Sequence, residues 1–427
     1  MRKCILSVAF LIAATLSSVA QKSLPITQAI PETAGFSSER LKRIDKIMNE
    51  WVKNGWMQGG EALIVRNGKI VYYKAVGYND LEAKSPLQKD GIFRIASQTK
   101  AITSVAIMVL FEEGKLLLTD PVSKYIASYK NQKVLDKFNP ADTTYTTVPA
   151  TREVTIKDLL THTSGIGYAM IGSRESNAIY DKNKLTAGIG GTNESLLEAM
   201  TRLGTLPLMH QPGQKWTYGL NSDLLGCLAE VISGMTLNDF FRTRIFEPLG
   251  MKDTYFTIPK EKANRLVNIY TEETPGHLIK SKGGLLNGPI GPEYPLLEKT
   301  YYSGGAGLSS TIYDYAVFLQ MLLNGGEYNG KRILSRNAVR MMTMNQLGDL
   351  EFRGDDKFGL GFQIVSEKNG NVPAQAGTFS WGGAYATSYW VDPKEKIVML
   401  FYRQLQRTTH GDLADKFRVL TYAAINN

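Results

Sequence analysis

The 427-residue chain has only two cysteines and four histidines, and that scarcity removes several chemistries at once. Cys4 falls in an N-terminal leader, so the processed chain keeps Cys227 alone and forms no internal disulfide. Cys227 sits in Leu224-Leu225-Gly226-Cys227-Leu228, an apolar helical stretch where a thiol reads as core. His162, His210, His277 and His410 are scattered, with no His-Glu-x-x-His pair and no paired cysteines. Metal catalysis is not expected from such a set, and no cofactor is implied. Neither a Walker-type phosphate loop nor a Gly-x-Ser-x-Gly elbow occurs. No basic run interleaves with aromatics, so the formal charge of +9 reads as a mildly basic surface, with no nucleic-acid partner. Repeats and low-complexity tracts are absent, and 43% hydrophobic with 21% charged residues is the composition of a soluble globular protein.

The first twenty residues differ from the rest. Arg2 and Lys3 precede a mostly apolar run over 4–16, and Ser18-Val19-Ala20 ends it in a small-x-small pattern. This is the pattern of a secretory signal cut after Ala20, which predicts a secreted or periplasmic protein. The run is too short for a good membrane span, so no integral membrane segment is expected in residues 21–427. Gln21, not cysteine, stands at the expected new N-terminus, which argues against a lipoprotein. Loss of Arg2 and Lys3 leaves a charge of +7.

Residues 38–51 have helical spacing behind a Ser-Ser-Glu-Arg start. Ala62-Leu63-Ile64-Val65 and Ile70-Val71-Tyr72-Tyr73 flank Asn67-Gly68, a strong hairpin signal. Residues 100–113 form a helix apolar nearly all round, closed by Gly114, and such a helix belongs in the middle of a protein. Residues 155–249 read as mainly helical, broken at Gly188-Ile189-Gly190-Gly191. A further helix covers 313–323; strands at 387–391 and 397–402 and a closing helix over 412–425 follow. Strands at both ends with helices between predict an α/β (α+β) domain over 21–427. One antiparallel sheet is built from both chain ends (about 30–95 and 300–427), with an inserted mainly helical lobe at about 115–300. A cleft between the two is the expected substrate site.

Ser97-Gln98-Thr99-Lys100 lies at the front of the buried helix. Three residues apart, Ser97 and Lys100 share one face, close enough to hydrogen-bond. An ammonium cannot accept a proton, and burial against Ile102, Val105 and Ala106 disfavours the charged form. Free N–H groups at the helix start also suit a developing oxyanion. A chain of this length holds roughly one or two Ser-x-x-Lys by composition alone. A plain capping serine followed by a solvated lysine is therefore the competing reading.

The context of the tetrad reaches further. Phe93-Arg94-Ile95-Ala96-Ser97-Gln98-Thr99-Lys100, then Thr161-His162-Thr163-Ser164-Gly165, then Gln211-Pro212-Gly213-Gln214-Lys215-Trp216-Thr217-Tyr218 follow one another in order. Pro248-Leu249-Gly250-Met251, Gly304-Gly305-Ala306-Gly307-Leu308-Ser309-Ser310-Thr311 and Trp381-Gly382-Gly383-Ala384 complete the series. Together they resemble the serine β-lactamase and penicillin-binding protein superfamily (class C-like), and most closely its family VIII carboxylesterases.

The resemblance implies the β-lactamase/transpeptidase-like fold and an acyl-enzyme mechanism. It implies Ser97 as nucleophile, Lys100 and Tyr218 as general base and acid, and the N–H groups of Ser97 and Ala384 as the oxyanion hole. It further implies that Trp381, Gly382, Gly383 and Asn221 contact substrate, and that His162 anchors its loop. Read without the resemblance, Tyr218 and Trp381 would be core aromatics.

Two departures bear on substrate. Penicillin-recognising members carry Tyr-x-Asn where Tyr218-Gly219-Leu220 stands here, with Asn221 one place late, and Lys-Thr-Gly where Trp381-Gly382-Gly383 stands. Losing an amide and a cation weakens anionic ligands at roughly 1.5–3 kcal/mol per charged hydrogen bond. A small-molecule ester is thus the expected substrate, with weak action on amides or β-lactams. The alternatives are a β-lactamase or D-amino-acid-specific peptidase acting on cell-wall-like substrates, and an inactive penicillin-binding-like sensor. Oligomeric state is not encoded in any of these features.

Overall fold

The computed structural model describes residues 23–185, 189, 194–285 and 290–426. The expected leader and, apart from Ile189, the Gly188-Ile189-Gly190-Gly191 break lie outside the described residues.

Nine strands form one sheet: β1 (Thr27–Gln28), β2 (Gly59–Arg66), β3 (Lys69–Asp80), β4 (Ser85–Pro86), β5 (Lys357–Phe358), β6 (Gln363–Ile364), β7 (Phe379–Gly383), β8 (Thr387–Asp392) and β9 (Ile397–Tyr402). Their order is β1-β3-β2-β9-β8-β7-β6-β5, with β4 on β3. Every pairing is antiparallel except that of β1 with β3. The seam between the two ends of the chain is β2 against β9, where Leu63 faces Leu400 and Glu61 faces Tyr402. Asn67 and Gly68 both have positive φ, as their turn requires.

The sheet is covered on both sides, which is why its central strands read as unbroken apolar runs. Along β9, Ile397, Met399 and Phe401 pack beneath α1 (Ser38–Lys53) and the C-terminal helix Leu413–Ala423. Val398, Leu400 and Tyr402 point the other way, into the main core with α2 (Thr99–Glu112) and the helix Ile312–Leu323. Period-two alternation thus divides one apolar string between two cores.

Between the sheet-forming ends, short helices alternate with irregular stretches, and two hairpins interrupt them: Lys133–Asn139 with Thr144–Pro149, and Tyr270–Thr274 with His277–Lys280. Both are largely polar on both faces, so they carry no amphipathic strand signal. Helix α2 is buried from Thr99 to Leu110, in keeping with its all-round apolar sequence.

Candidate active site

Ser97 sits on a single 3-10 turn (Ala96–Gln98) that runs into α2 rather than on α2 itself. Side chains three apart eclipse in such a turn, which brings Ser97 and Lys100 closer to one line than an α-helix would. The preceding residue, Ala96, is buried with φ 42°, a left-handed conformation that a side chain resists. Surrounding anchors hold it there. Arg94 is fully buried and donates to the carbonyls of Val267 (2.6 Å) and Pro292 (2.7 Å) and to Gln404 Oε1 (3.2 Å). Tyr402 donates to Gln98 Oε1 (2.5 Å), and Tyr315 to the Gln98 carbonyl (2.8 Å).

Lys100 is 3% exposed, which excludes the solvated alternative, and Ser97 makes no capping bond to α2. The Lys100 Nζ donates to the Gly305 carbonyl (2.7 Å) and to Ser97 Oγ (3.3 Å). It also lies 4.7 Å from the ring centre of Tyr218 and 5.5 Å from that of Tyr168. Tyr218 donates its hydroxyl hydrogen to Ser97 Oγ at 2.8 Å. The serine, the amine and the phenol therefore meet at one oxygen.

Tyr218 is delivered by the segment 209–220, which pairs with the His162-Thr163-Ser164-Gly165 loop. Met209 N–H bonds to Gly165 O (2.7 Å), Gly213 N–H to Thr163 O (2.7 Å) and Leu220 N–H to Gly167 O (3.0 Å). The approach is close: a Cβ on Gly219 would stand 2.0 Å from Ile166 O, so the position after Tyr218 admits no side chain. His162 is buried and close to Lys100; burial first, then that neighbouring charge, hold its pKa well below the usual value.

Asn221, expected among the substrate contacts, is instead fully buried at the start of the helix Asn221–Ser233. Its Nδ2 meets His162 Nδ1 at 2.9 Å and its Oδ1 accepts from Ser164 Oγ at 2.5 Å. Both ends of the amide are engaged in holding the loop, and none of it reaches the cleft. Leu220 is equally buried.

Trp381 is buried beside Tyr218, its ring 5.8 Å from that of Tyr218 and 5.5 Å from that of Phe358. Gly382 and Gly383 are half-buried and end β7. A Cβ on Gly383 would come within 2.3 Å of Ile95 O, so the strand end lies directly against the turn that carries Ser97. Ala384 follows, exposed, and together with Ser97 lines a cleft of about 410 Å³. The rest of that lining is apolar, including Met170, Ile171, Leu285 and Ala306.

Three neighbours of the site escaped the sequence reading. Tyr168 stacks near Tyr218 with ring centres 5.4 Å apart and lines the cleft. Asp223, fully buried, accepts from Ser303 Oγ (2.6 Å) and Tyr301 OH (3.2 Å) and from the Gly305 N–H. Burial raises its pKa, while those bonds and the positive charge of Lys100 pull the other way. The third is Arg353, whose guanidinium lies 4.7 Å from the Trp381 ring centre. Tyr168 follows the His-Thr-Ser-Gly loop and Asp223 follows the Tyr218 segment, so proximity to a motif was the available signal. Arg353 had none.

The beta-lactamase family profile matches residues 44–424. The chain belongs to the beta-lactamase family. Esterase EstB of Burkholderia gladioli is 30% identical over 417 residues, 93% of this chain and 100% of the relative. An uncharacterised Mycobacterium tuberculosis protein is 33% identical over 364 residues, 82% of this chain and 86% of the relative. Among solved structures, EstCE1, described as a hydrolase with promiscuous acyltransferase activity, superposes with a TM-score of 0.75 at 24% identity, over 90% of this chain and 98% of that one. This beta-lactamase-family chain is therefore a serine hydrolase of the superfamily, with its antiparallel sheet and flanking helices.

Proposed function

We propose that this chain is an esterase that works through an acyl-enzyme on Ser97. The observation that carries this reading is the convergence of Tyr218 OH (2.8 Å) and Lys100 Nζ (3.3 Å) on Ser97 Oγ, at the edge of an apolar cleft. Ser97 Oγ bonds to the acyl carbon as its proton passes to the Lys100–Tyr218 pair. The oxyanion takes hydrogen bonds from the N–H groups of Ser97 and Ala384. The bond from carbon to the leaving oxygen then breaks, and that oxygen takes a proton from Tyr218. Water, deprotonated by the same pair, attacks the acyl carbon; the bond from that carbon to Ser97 Oγ breaks, and Oγ takes back a proton from the pair. The name of the Burkholderia relative supports carboxylic esters as substrate, as do the apolar lining of the cleft and the neutral Trp381-Gly382-Gly383 segment.

A fluorophosphonate probe read by intact mass tests the mechanism: wild type gains one adduct and Ser97→Ala gains none. Comparing 4-nitrophenyl butyrate with nitrocefin tests the substrate. Turnover dominated by nitrocefin would replace the esterase reading with that of a β-lactamase or D-amino-acid-specific peptidase, and an unlabelled, folded wild type would replace it with a binding protein.

A further inference from the structure

Tyr218 packs against a lining residue of each of two cavities of opposite character. On one side its ring touches Tyr168, which lines the apolar cleft of about 410 Å³ that holds Ser97. On the other it stacks on Trp216, with ring centres 5.8 Å apart and planes 11° from parallel. Trp216 lines a broad groove of about 1760 Å³, whose walls also carry Phe352, Arg353, Lys357 and Lys368. Acids share that groove (Asp349, Glu351, Asp355 and Glu367), so it is charged rather than simply basic.

Arg353 lines that groove and is linked to Tyr218 through Trp381, whose ring lies 5.8 Å from that of Tyr218. Its guanidinium lies over the rings of Trp381 (4.7 Å) and Phe352 (5.5 Å) and donates to Gln363 Oε1 (3.1 Å). Among the described residues no carboxylate forms an ion pair with Arg353. Asp356, whose charge reaches it, already accepts from the amides of Gln363 (2.6 Å) and Asn369 (2.7 Å). The backbone of Arg353 has φ 37°, a left-handed conformation that residues other than glycine rarely adopt. A stacked guanidinium with donors left over is a preorganised carboxylate receptor.

Resting on the esterase reading above, we infer that Arg353 is a specificity-determining residue that binds a carboxylate on the leaving group, so that the preferred substrate joins an apolar acyl chain to an anionic alcohol. A different loop thus places a cation beside Trp381, whose own segment carries none. The acyl chain lies among Met170, Ile171 and Leu285, and the leaving group extends past Trp381 toward Arg353.

The test uses two esters that share an acyl group, 3-carboxyphenyl butyrate and its neutral isostere 3-carbamoylphenyl butyrate. The ratio of their kcat/KM values is measured for wild type, Arg353→Ala, Arg353→Lys and Lys331→Ala, an exposed lysine on a remote hairpin. The acid-to-amide ratio is expected to fall about tenfold in Arg353→Ala, to recover partly in Arg353→Lys and to stay at the wild-type value in Lys331→Ala. Raising salt from about 50 mM to about 500 mM should also lower the wild-type ratio. Unchanged melting temperature in Arg353→Ala excludes misfolding as the cause. An unchanged ratio in Arg353→Ala, with wild type still cleaving the carbamoyl ester, overturns the inference and leaves the esterase standing. Wild type that cleaves neither ester and takes no fluorophosphonate overturns both.

Discussion

Asp223 and Glu61 are both fully buried without an arginine partner, and they behave differently. Asp223 lies behind Lys100 with Ser303, Tyr301 and the Gly305 N–H bonded to it. Glu61 lies in β2, fully buried, and Tyr73 is the hydroxyl that meets it. That hydroxyl donates its hydrogen to Lys89 O at 2.8 Å, so it has only its oxygen left to offer. Neither Glu61 oxygen takes a hydrogen bond among the described residues, and burial raises its pKa well above the ordinary value, so the acid favours its protonated form. Asp223 is built to answer a cation; Glu61 is built to keep a proton. Burial alone does not mark a functional acid: the distinguishing feature is whether the groups around it are donors aimed at a charge.

The sharpest way to break this contrast begins at the centre Asp223 supports. Ser97→Ala and Lys100→Ala are each expected to lower ester kcat by about 10⁴-fold, because members of a coupled unit fail together. Residual turnover near wild type in either, measured with 4-nitrophenyl butyrate, would separate the amine from the chemistry. Tyr218→Phe removes one hydroxyl and should cost about 10²- to 10³-fold with the melting temperature unchanged.

Asp223→Ala removes the acceptor shared by Ser303 and Tyr301 and the negative charge near Lys100. A loss of about 3 kcal/mol in urea unfolding is expected, together with slower turnover. Asp223→Asn should restore most of the stability but not the rate, since the amide keeps the shape and lacks the charge.

Glu61→Gln should leave turnover alone and act on stability. An acid whose folded pKa is raised loses stability as pH climbs above its unfolded value near 4.5. Wild type should therefore weaken as pH rises from about 5, by at most about 1.4 kcal/mol per pH unit from this group, and Glu61→Gln should flatten that slope. An equal slope in both proteins, from unfolding curves at several pH values, would show that Glu61 is not the proton holder.

The serine, the amine and the phenol were legible in the sequence because each lies in a short run whose neighbours are equally constrained. Ser97 and Lys100 are one turn apart, and Tyr218 is followed by a glycine that the packing against Ile166 demands. The sheet was legible for a similar reason, since both of its halves are apolar strings with clear turns. What could not be read depends on tertiary placement. Asn221 was expected in the cleft, but one residue along a helix rotates a side chain by about 100°, and it points into the His162 loop instead. The hairpins at Lys133–Asn139 and Tyr270–Thr274 bury no regular face and so carry no period. Arg353 reaches Trp381 only because a loop folds back beside β7, and no local pattern announces that.

The seam between β2 and β9 has a temporal consequence. A ribosome releases Ser97, Lys100 and Tyr218 well before it makes β7, which lies against the serine turn, or Tyr402, whose hydroxyl fixes Gln98. Until those late strands arrive, the half-made hairpin has an open edge and the nucleophile has no wall behind it. An interrupted translation product that stops short of residue 379 is thus an unarmed chain, and the hydrolase is switched on by its own completion.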